Sequence, residues 1–437
     1  MDFDYDLFVI GGGSGGVRAA RMAAQAGARV AIAEDYRFGG TCVIRGCIPK
    51  KLLVYASQFA EAFEDAEGYG WTVGERTHSW DRLREAKERE ITRLQGLYHR
   101  NVSAAGAEVF EARATLRDPH TVALADGREV SAKYVLVATG GHPRVPEFPG
   151  HELAITSDDI FDLEEFPRRI AILGGGYIAC EFAFIMNGLG AEVTLAYRGE
   201  RILRTFDYDL SDHAMEAMRE KGIDLRLHAD IGSVERTDGG LRVSLGDGSD
   251  ATVDCVLAAT GRQPSTGGLG LEEIGVRLRK NGAVEVDAYS RSSLPNVYAI
   301  GDVAGQPMLA HKGSKEGLVA AGVIAGKPEE YDVRCVPAVI FTSPEMASVG
   351  LLEEQAEEQG HEVATGQFPF AASGRAMSLL ETEGFVKVVS DARTDEVRGV
   401  HMVGPEVTEL IAEAALAIEM GATTEDVART IHAHPTL

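Results

Sequence analysis

The chain carries one supersecondary pattern twice, and that repeat constrains its fold more than any other feature. Residues 6–10 (D-L-F-V-I) read as a buried strand. G-G-G-S-G-G follows at 11–16, then a helix through Ala26, then a strand from Ala28 to Ala33 that ends in Glu34. Gly11, Gly13 and Gly16 spell G-x-G-x-x-G, with the acid 23 positions after the first glycine. The glycines permit a tight turn and a close approach of backbone to pyrophosphate, and the helix N-terminus offers its positive dipole end. Glu34 is placed to accept hydrogen bonds from a ribose diol. Strand, turn, helix and acid together predict a dinucleotide-binding βαβ unit.

The second copy runs from a strand at 169–173 (R-I-A-I-L) through G-G-G-Y-I-A-C-E at 174–181 to a strand at 191–197. Gly174, Gly176 and Ala179 give G-x-G-x-x-A. Where a site for NAD carries an acid, this copy has Arg198, with Arg204 six residues on. An arginine there pairs with a 2′-phosphate, so the second site is expected to take NADP. The competing reading makes both arginines ordinary surface charges. Two A-T-G triplets, at 138–140 and 259–261, close apolar strands and bring the chain back beneath each nucleotide site. V-Y-A-I-G-D at 297–302 ends a strand on an acid, Asp302, positioned to reach the ribityl chain of a flavin.

At 437 residues the chain is long for one core, so several domains are expected. A formal net charge of −24 argues against a polyanionic partner such as nucleic acid. No apolar run reaches the length of a membrane span. The acidic start, M-D-F-D-Y-D, is unlike a targeting peptide and points to the cytoplasm. Proline-rich punctuation at 143–149, and again near Lys327 and Pro328, marks expected boundaries. From residue 335 the pattern becomes strands (V-P-A-V-I-F, F-V-K-V-V-S, R-G-V-H-M-V) and helices (351–360, 406–420), an α+β domain without a nucleotide fingerprint.

Five cysteines in a chain of this size do not suggest a disulfide framework. Cys180, Cys255 and Cys335 lie in apolar contexts and are expected to be small buried hydrophobes. Cys42 and Cys47 differ. They sit in T-C-V-I-R-G-C-I-P-K-K at 41–51, on the segment that leaves the first dinucleotide turn. That placement suggests a redox dithiol beside a flavin, although a structural pair or two core thiols would share the spacing. No second close Cys or His pair accompanies them, so no metal site is expected.

Taken together, these motifs resemble the FAD-dependent pyridine nucleotide–disulfide oxidoreductases over essentially the whole chain. Residues 1–302 resemble the glutathione reductase branch, through G-G-T-C-V-I-R-G-C-I-P-K-K-L-L-V-Y-A-S, Y-R-G-E-R-I-L-R-T-F-D at 197–207 and Y-S-R-S-S-L-P-N-V-Y-A-I-G-D. Residues 303–437 resemble the dihydrolipoamide dehydrogenase branch, through P-M-L-A-H-K-G-S-K-E-G, F-P-F-A-A-S-G-R-A and H-A-H-P-T-L. The chain thus looks like a hybrid. The implied fold is α/β, with two Rossmann-like domains for FAD and NADP and a C-terminal α+β dimerisation domain. Expected segments are 1–148 and 265–332 for FAD, 149–264 for NADP and 333–437 for the dimer face.

The resemblance also implies roles. Cys47 is the thiol nearest the flavin and Cys42 the interchange thiol that attacks substrate, with electrons passing from NADPH through FAD to the Cys42–Cys47 disulfide. Lys50 lies near the flavin with Glu181 as its partner, Lys51 is a surface lysine, and Tyr177 gates the nicotinamide pocket. Ser14, Gly40, Thr41, Thr139, Gly140 and Ala310 join the FAD set, and Ile178 and Gly261 join the NADP set. His434 in H-P-T is the acid/base, supplied by the second subunit of a homodimer. The family carries a carboxylate a few residues beyond H-P-T, and the sequence given ends at Leu437 before it, so that orienting group is expected to be missing. Ser14, Arg21 and Tyr98 match contacts to glutathione disulfide, whereas Leu318 stands where a second arginine is expected. The implied activity is NADPH-dependent reduction of a small disulfide, most simply glutathione disulfide. Its rivals are NAD-linked oxidation of dihydrolipoamide and a role as the flavoprotein subunit of a larger complex.

Overall fold

The computed structural model describes residues 2–327 and 335–437. Pro328 and the expected boundary at 332/333 lie outside the described residues. Two compact units emerge, one from residues 1–52, 81–144 and 262–331, the other from residues 53–80, 145–261 and 332–437.

In the first unit Tyr5–Ile10 lies between Val30–Ala33 and Glu129–Val137, all parallel, with Glu108–Phe110 beyond Val30–Ala33. The far edge of Glu129–Val137 is shared. Its first half pairs antiparallel with Thr121–Leu124, and its second half pairs parallel with Val297–Ala299. Both faces of this sheet are covered, which is why its strands read as unbroken apolar runs. Leu7 and Val9 pack with the helix Ser14–Gln25, while Phe8 and Ile10 pack into a second cluster with Val135 and Val297. The hairpin Ala114–Asp118/Thr121–Leu124 has no counterpart in the sequence reading.

Two glycines of G-S-K-E-G set how closely the helix Ala310–Ile324 crosses Ser14–Gln25. A Cβ on Gly317 would stand 2.5 Å from the Gly15 carbonyl oxygen, and one on Gly15 would stand 2.9 Å from that of Gly313. The contact brings Ser314, Lys315 and Leu318 to the same cavity as the outer face of the first helix.

The second unit holds a parallel five-stranded sheet in the order Asp224–Arg226, Glu192–Ala196, Arg169–Leu173, Cys255–Ala258, Ile155–Thr156. An antiparallel meander, Ile231–Thr237, Gly240–Leu245 and Asp250–Val253, shares a core with it around Phe148, Leu173, Val243 and Val256. Residues 335–437 form a five-stranded antiparallel sheet under the helix Val407–Glu419. The expected strands appear as Ala338–Ile340, Phe385–Asp391 and Val397–Gly404. Two more, Glu345–Gly350 and Val363–Pro369, were not legible, one because small residues blur its pattern, the other because it is an exposed edge strand. Among the described residues no helix is long and apolar enough to cross a membrane.

Candidate active site

The first glycine turn is built so that side chains would obstruct it. Gly11 has φ 110°, and a Cβ there would lie 2.4 Å from the Ala138 carbonyl oxygen. A Cβ on Gly16 would lie 1.9 Å from that of Gly11, and one on Gly40 (φ 59°) 2.6 Å from the Gly13 Cα. The start of the helix Ser14–Gln25 is therefore open to close approach by a pyrophosphate. Glu34 accepts hydrogen bonds from the Gly12 N–H (2.7 Å) and the Tyr36 N–H (3.0 Å), which fix its carboxylate beside the turn. Burial raises its pKa and those two hydrogen bonds oppose the shift.

Asp302 lies in the single turn Gly301–Ala304. Burial raises its pKa, against the pull of Arg262, 4.0 Å away, and Lys312. Lys312 makes a buried 2.9 Å ion pair with Glu316, whose second oxygen accepts the Gly301 N–H at 2.7 Å. Arg262 donates to the Gly141 carbonyl (2.5 Å) and to the Thr41 hydroxyl (3.4 Å). Thr139 donates to the Ser265 carbonyl at 2.8 Å, Gly140 has φ 70°, and Ala310 opens its helix. This glycine cradle, with one carboxylate at each end, suits FAD. None of Arg262, Lys312 and Glu316 was singled out from sequence, although Lys312 and Glu316 have the i,i+4 spacing of a helical ion pair.

Cys42 lies in the short helix Gly40–Ile44, and Cys47 is the first residue of the helix Cys47–Asp65. A helix N-terminus favours a thiolate at the Cys47 position. The two side chains are within hydrogen-bond reach of each other. Cys42 is held strongly in its protonated form, first by its hydrogen bond with Cys47 and then by burial, with a hydrogen bond from the Ser14 hydroxyl acting the other way. Lys50, one turn into the same helix, is buried, and Lys51 is half-buried. Cys180 and Cys255 are buried as expected, with burial pushing the Cys255 thiol up to about 12. Cys335 is only half-buried, short of the expectation.

Beside Cys42 opens a cavity of about 470 Å³. It is lined by the expected Ser14, Arg21, Tyr98 and Leu318, and also by Val17, Arg18, Asn101, Ser314 and Lys315. Ser14 joins it to the dithiol through its hydrogen bond to Cys42. Tyr98 feels the same neighbours: burial raises its pKa, Cys42 and Cys47 add to the shift, and Arg21 opposes it. The Nε of Arg21 is buried and has no hydrogen-bond partner among the described residues.

In the second unit Gly174 has φ 131°, with Ala259 O 2.4 Å from where its Cβ would be. Gly176 caps the helix Tyr177–Gly188, where Tyr177 and Ile178 are half-buried and Ala179 is buried. Gly261 has φ 124°. The middle glycine, Gly175, packs so closely that a Cβ would lie 2.6 Å from the Tyr197 ring. The loop after Glu192–Ala196 is pinned to this turn, because the Leu203 N–H donates to the Gly175 carbonyl at 2.6 Å. Lys387 holds the far end, bonding Asp207 (3.0 Å) and Asp209 (2.8 Å) at the start of the next helix. Arg198 and Arg204 are exposed on this fixed loop and bond no other described residue, whereas Arg201 between them is paired with Asp212 at 2.8 Å. Two cations without partners among the described residues, on a loop tethered through Leu203, suit a 2′-phosphate. Buried Glu181 accepts the Phe341 N–H at 2.9 Å. His434 is exposed near the chain end, while its neighbour His432 contacts Glu413 at 2.7 Å and has its pKa raised by that hydrogen bond.

Residues 5–317 match the family described as Pyridine nucleotide-disulphide oxidoreductase, and residues 336–437 match that family's dimerisation domain. A glutathione reductase of Burkholderia cepacia is 49% identical over 436 residues, covering 100% of this chain and 97% of that protein. One from a Nostoc species is 41% identical, covering 100% and 98%. Dihydrolipoyl dehydrogenase 2 of Haloarcula marismortui is 40% identical, covering 99% and 94%. Two glycine turns, a dithiol beside the first and full-length matches to both branches leave one conclusion: the chain belongs to the FAD-dependent pyridine nucleotide–disulphide oxidoreductases.

Proposed function

We propose that the chain is an NADPH-dependent glutathione-disulfide reductase, acting as a cytoplasmic homodimer with Cys42 and Cys47 as its redox pair. The observation that carries the reading is the cavity beside Cys42, which is rich in cations and hydrogen-bond donors and holds Ser14, Arg21 and Tyr98 together. The names of the two relatives with 49% and 41% identity support the substrate. Arg198 and Arg204 support NADPH over NADH. The dimerisation-domain match and the exposed Leu416 and Met420 on and beside the helix Val407–Glu419 support the homodimer.

The Gly11–Gly16 turn with Glu34, Lys50 and Asp302 would hold FAD, which with NADPH would supply the two electrons that keep Cys42 and Cys47 reduced. The remaining chemistry belongs to the chain. Cys42 loses its proton to the imidazole of His434 from the second subunit and attacks one sulfur of the substrate. The substrate S–S bond breaks, a bond to Cys42 Sγ forms, and the first glutathione leaves with the proton from His434. The Cys47 thiolate then attacks Cys42 Sγ, closing the internal disulfide and releasing the second glutathione, which takes its proton through the same imidazole. The balance is two thiols formed for each NADPH consumed. Thiol titration during turnover tests it: two per NADPH supports the reading, and NADPH loss without new thiol contradicts it.

Nucleotide choice gives a separate prediction. Each arginine contact to the 2′-phosphate is worth roughly 1.5–3 kcal/mol. Arg198→Glu should therefore lower kcat/KM for NADPH by at least about tenfold and leave NADH unchanged or improved. Equal NADH and NADPH efficiency in the unmodified protein would remove the assignment.

A further inference from the structure

We propose that Lys387, on the C-terminal antiparallel sheet, is a positioning residue for nucleotide choice: by holding Asp207 and Asp209 it sets where Arg204 meets the 2′-phosphate. The inference rests on the reading of Arg198 and Arg204 as 2′-phosphate contacts, and adds the residue that holds one of them in place.

The strand Phe385–Asp391 alternates, and Phe385, Lys387 and Val389 form a buried face. A lysine on such a face needs carboxylates, because an unpaired charge is costly to bury. Three reach it: Asp207 at 3.0 Å, Asp209 at 2.8 Å and Glu353 at 3.2 Å. Asp207 and Asp209 belong to the start of the helix Tyr208–Glu220, where Asp207 is also the N-cap and accepts the Asp209 N–H at 3.0 Å. Phe385 reaches the same helix, its ring meeting that of His213 edge-on at 6.2 Å. One strand of the sheet therefore grips the helix at two points.

The helix in turn carries the loop before it. The Ser211 hydroxyl donates to the Ile202 carbonyl at 2.6 Å, and Arg201 makes a two-pronged pair with Asp212 at 2.8 and 3.0 Å. Arg204 lies between these attachments and the N-cap Asp207. Arg198 is held differently. It follows the strand Glu192–Ala196, and its neighbour Tyr197 is tied by backbone hydrogen bonds to Arg226 and Ala229, so its place does not depend on Lys387. A charged contact contributes most when its donor is in place before the ligand arrives, because less freedom is then lost on binding.

The test is calorimetric binding of NADP+ and NAD+ to the oxidised FAD-loaded protein, two ligands that differ only in the 2′-phosphate. Lys387→Met should weaken NADP+ by about tenfold, the effect of one charge-assisted contact, and leave NAD+ within about twofold. A general loosening of the fold would weaken both. Lys387→Met leaves Asp207 buried without its cation; Lys387→Met/Asp207→Asn removes that charge, keeps a good N-cap and should show the same selective loss. Added to Arg204→Gln, Lys387→Met should cost no further NADP+ affinity, whereas added to Arg198→Gln it should cost the full factor. Equal loss for both nucleotides, no loss in either variant, or a full additional loss on Arg204→Gln overturns the proposal. Equal binding of NADP+ and NAD+ by the unmodified protein would instead overturn the nucleotide reading, and the proposal with it.

Discussion

Cys47→Ser is expected to lower NADPH-driven glutathione disulfide reduction by on the order of a thousandfold or more, because the substrate-bound Cys42 then has no thiolate to release it. The first exchange still occurs, so one equivalent of glutathione should stay trapped on Cys42 and appear as added mass on the intact protein. The unmodified protein reduced with NADPH should show a long-wavelength absorbance band that the serine variant lacks. Cys42→Ser should be equally inactive but trap nothing, because Cys42 is the thiol joined to the substrate cavity through Ser14. A band that survives in Cys47→Ser, or trapping in Cys42→Ser, would reverse the two thiols.

His434→Gln should cost about a hundredfold or more at neutral pH, the usual worth of a positioned acid/base. The pH dependence follows from Cys42. Its ionisation is pushed above the ordinary thiol value by the Cys47 hydrogen bond and by burial, so the reactive thiolate is scarce at neutral pH and grows as pH rises. Without an imidazole to take the proton, kcat/KM for the disulfide should climb about tenfold per pH unit until Cys42 ionises. The unmodified protein, with its base in place, should be much flatter across the same range. A variant whose pH profile parallels that of the unmodified protein would place the base elsewhere, and His432, already paired with Glu413, is then the residue to replace.

How much of this was legible depended on whether a residue acts through its own neighbours in sequence. The glycine turns and both arginine positions stood out because the turn, the helix and the acid-or-arginine choice are all local. The C-terminal sheet was read as three strands of five, since Glu345–Gly350 and Val363–Pro369 lack a clean alternation of buried and exposed residues. The site residues that escaped notice depend on distant partners. Arg262 matters only because its guanidinium reaches Gly141, Thr41 and Asp302. Lys315 carries no signal of its own in the sequence and reaches the cavity because Gly313 and Gly317 let its helix pack against the first one. Leu318, read alone, suggested a lost substrate contact; the cavity has Lys315 one turn earlier.

The most direct measurement is a crossed set of kcat/KM values on the purified FAD-loaded dimer, with NADPH and NADH as donors and glutathione disulfide and lipoamide as acceptors. The account predicts that NADPH with glutathione disulfide is the best combination, and that exchanging either member lowers kcat/KM by at least about tenfold. NADH with lipoamide as the best pair would contradict it, because Arg198, Arg204 and the cationic cavity would then serve neither nucleotide nor substrate.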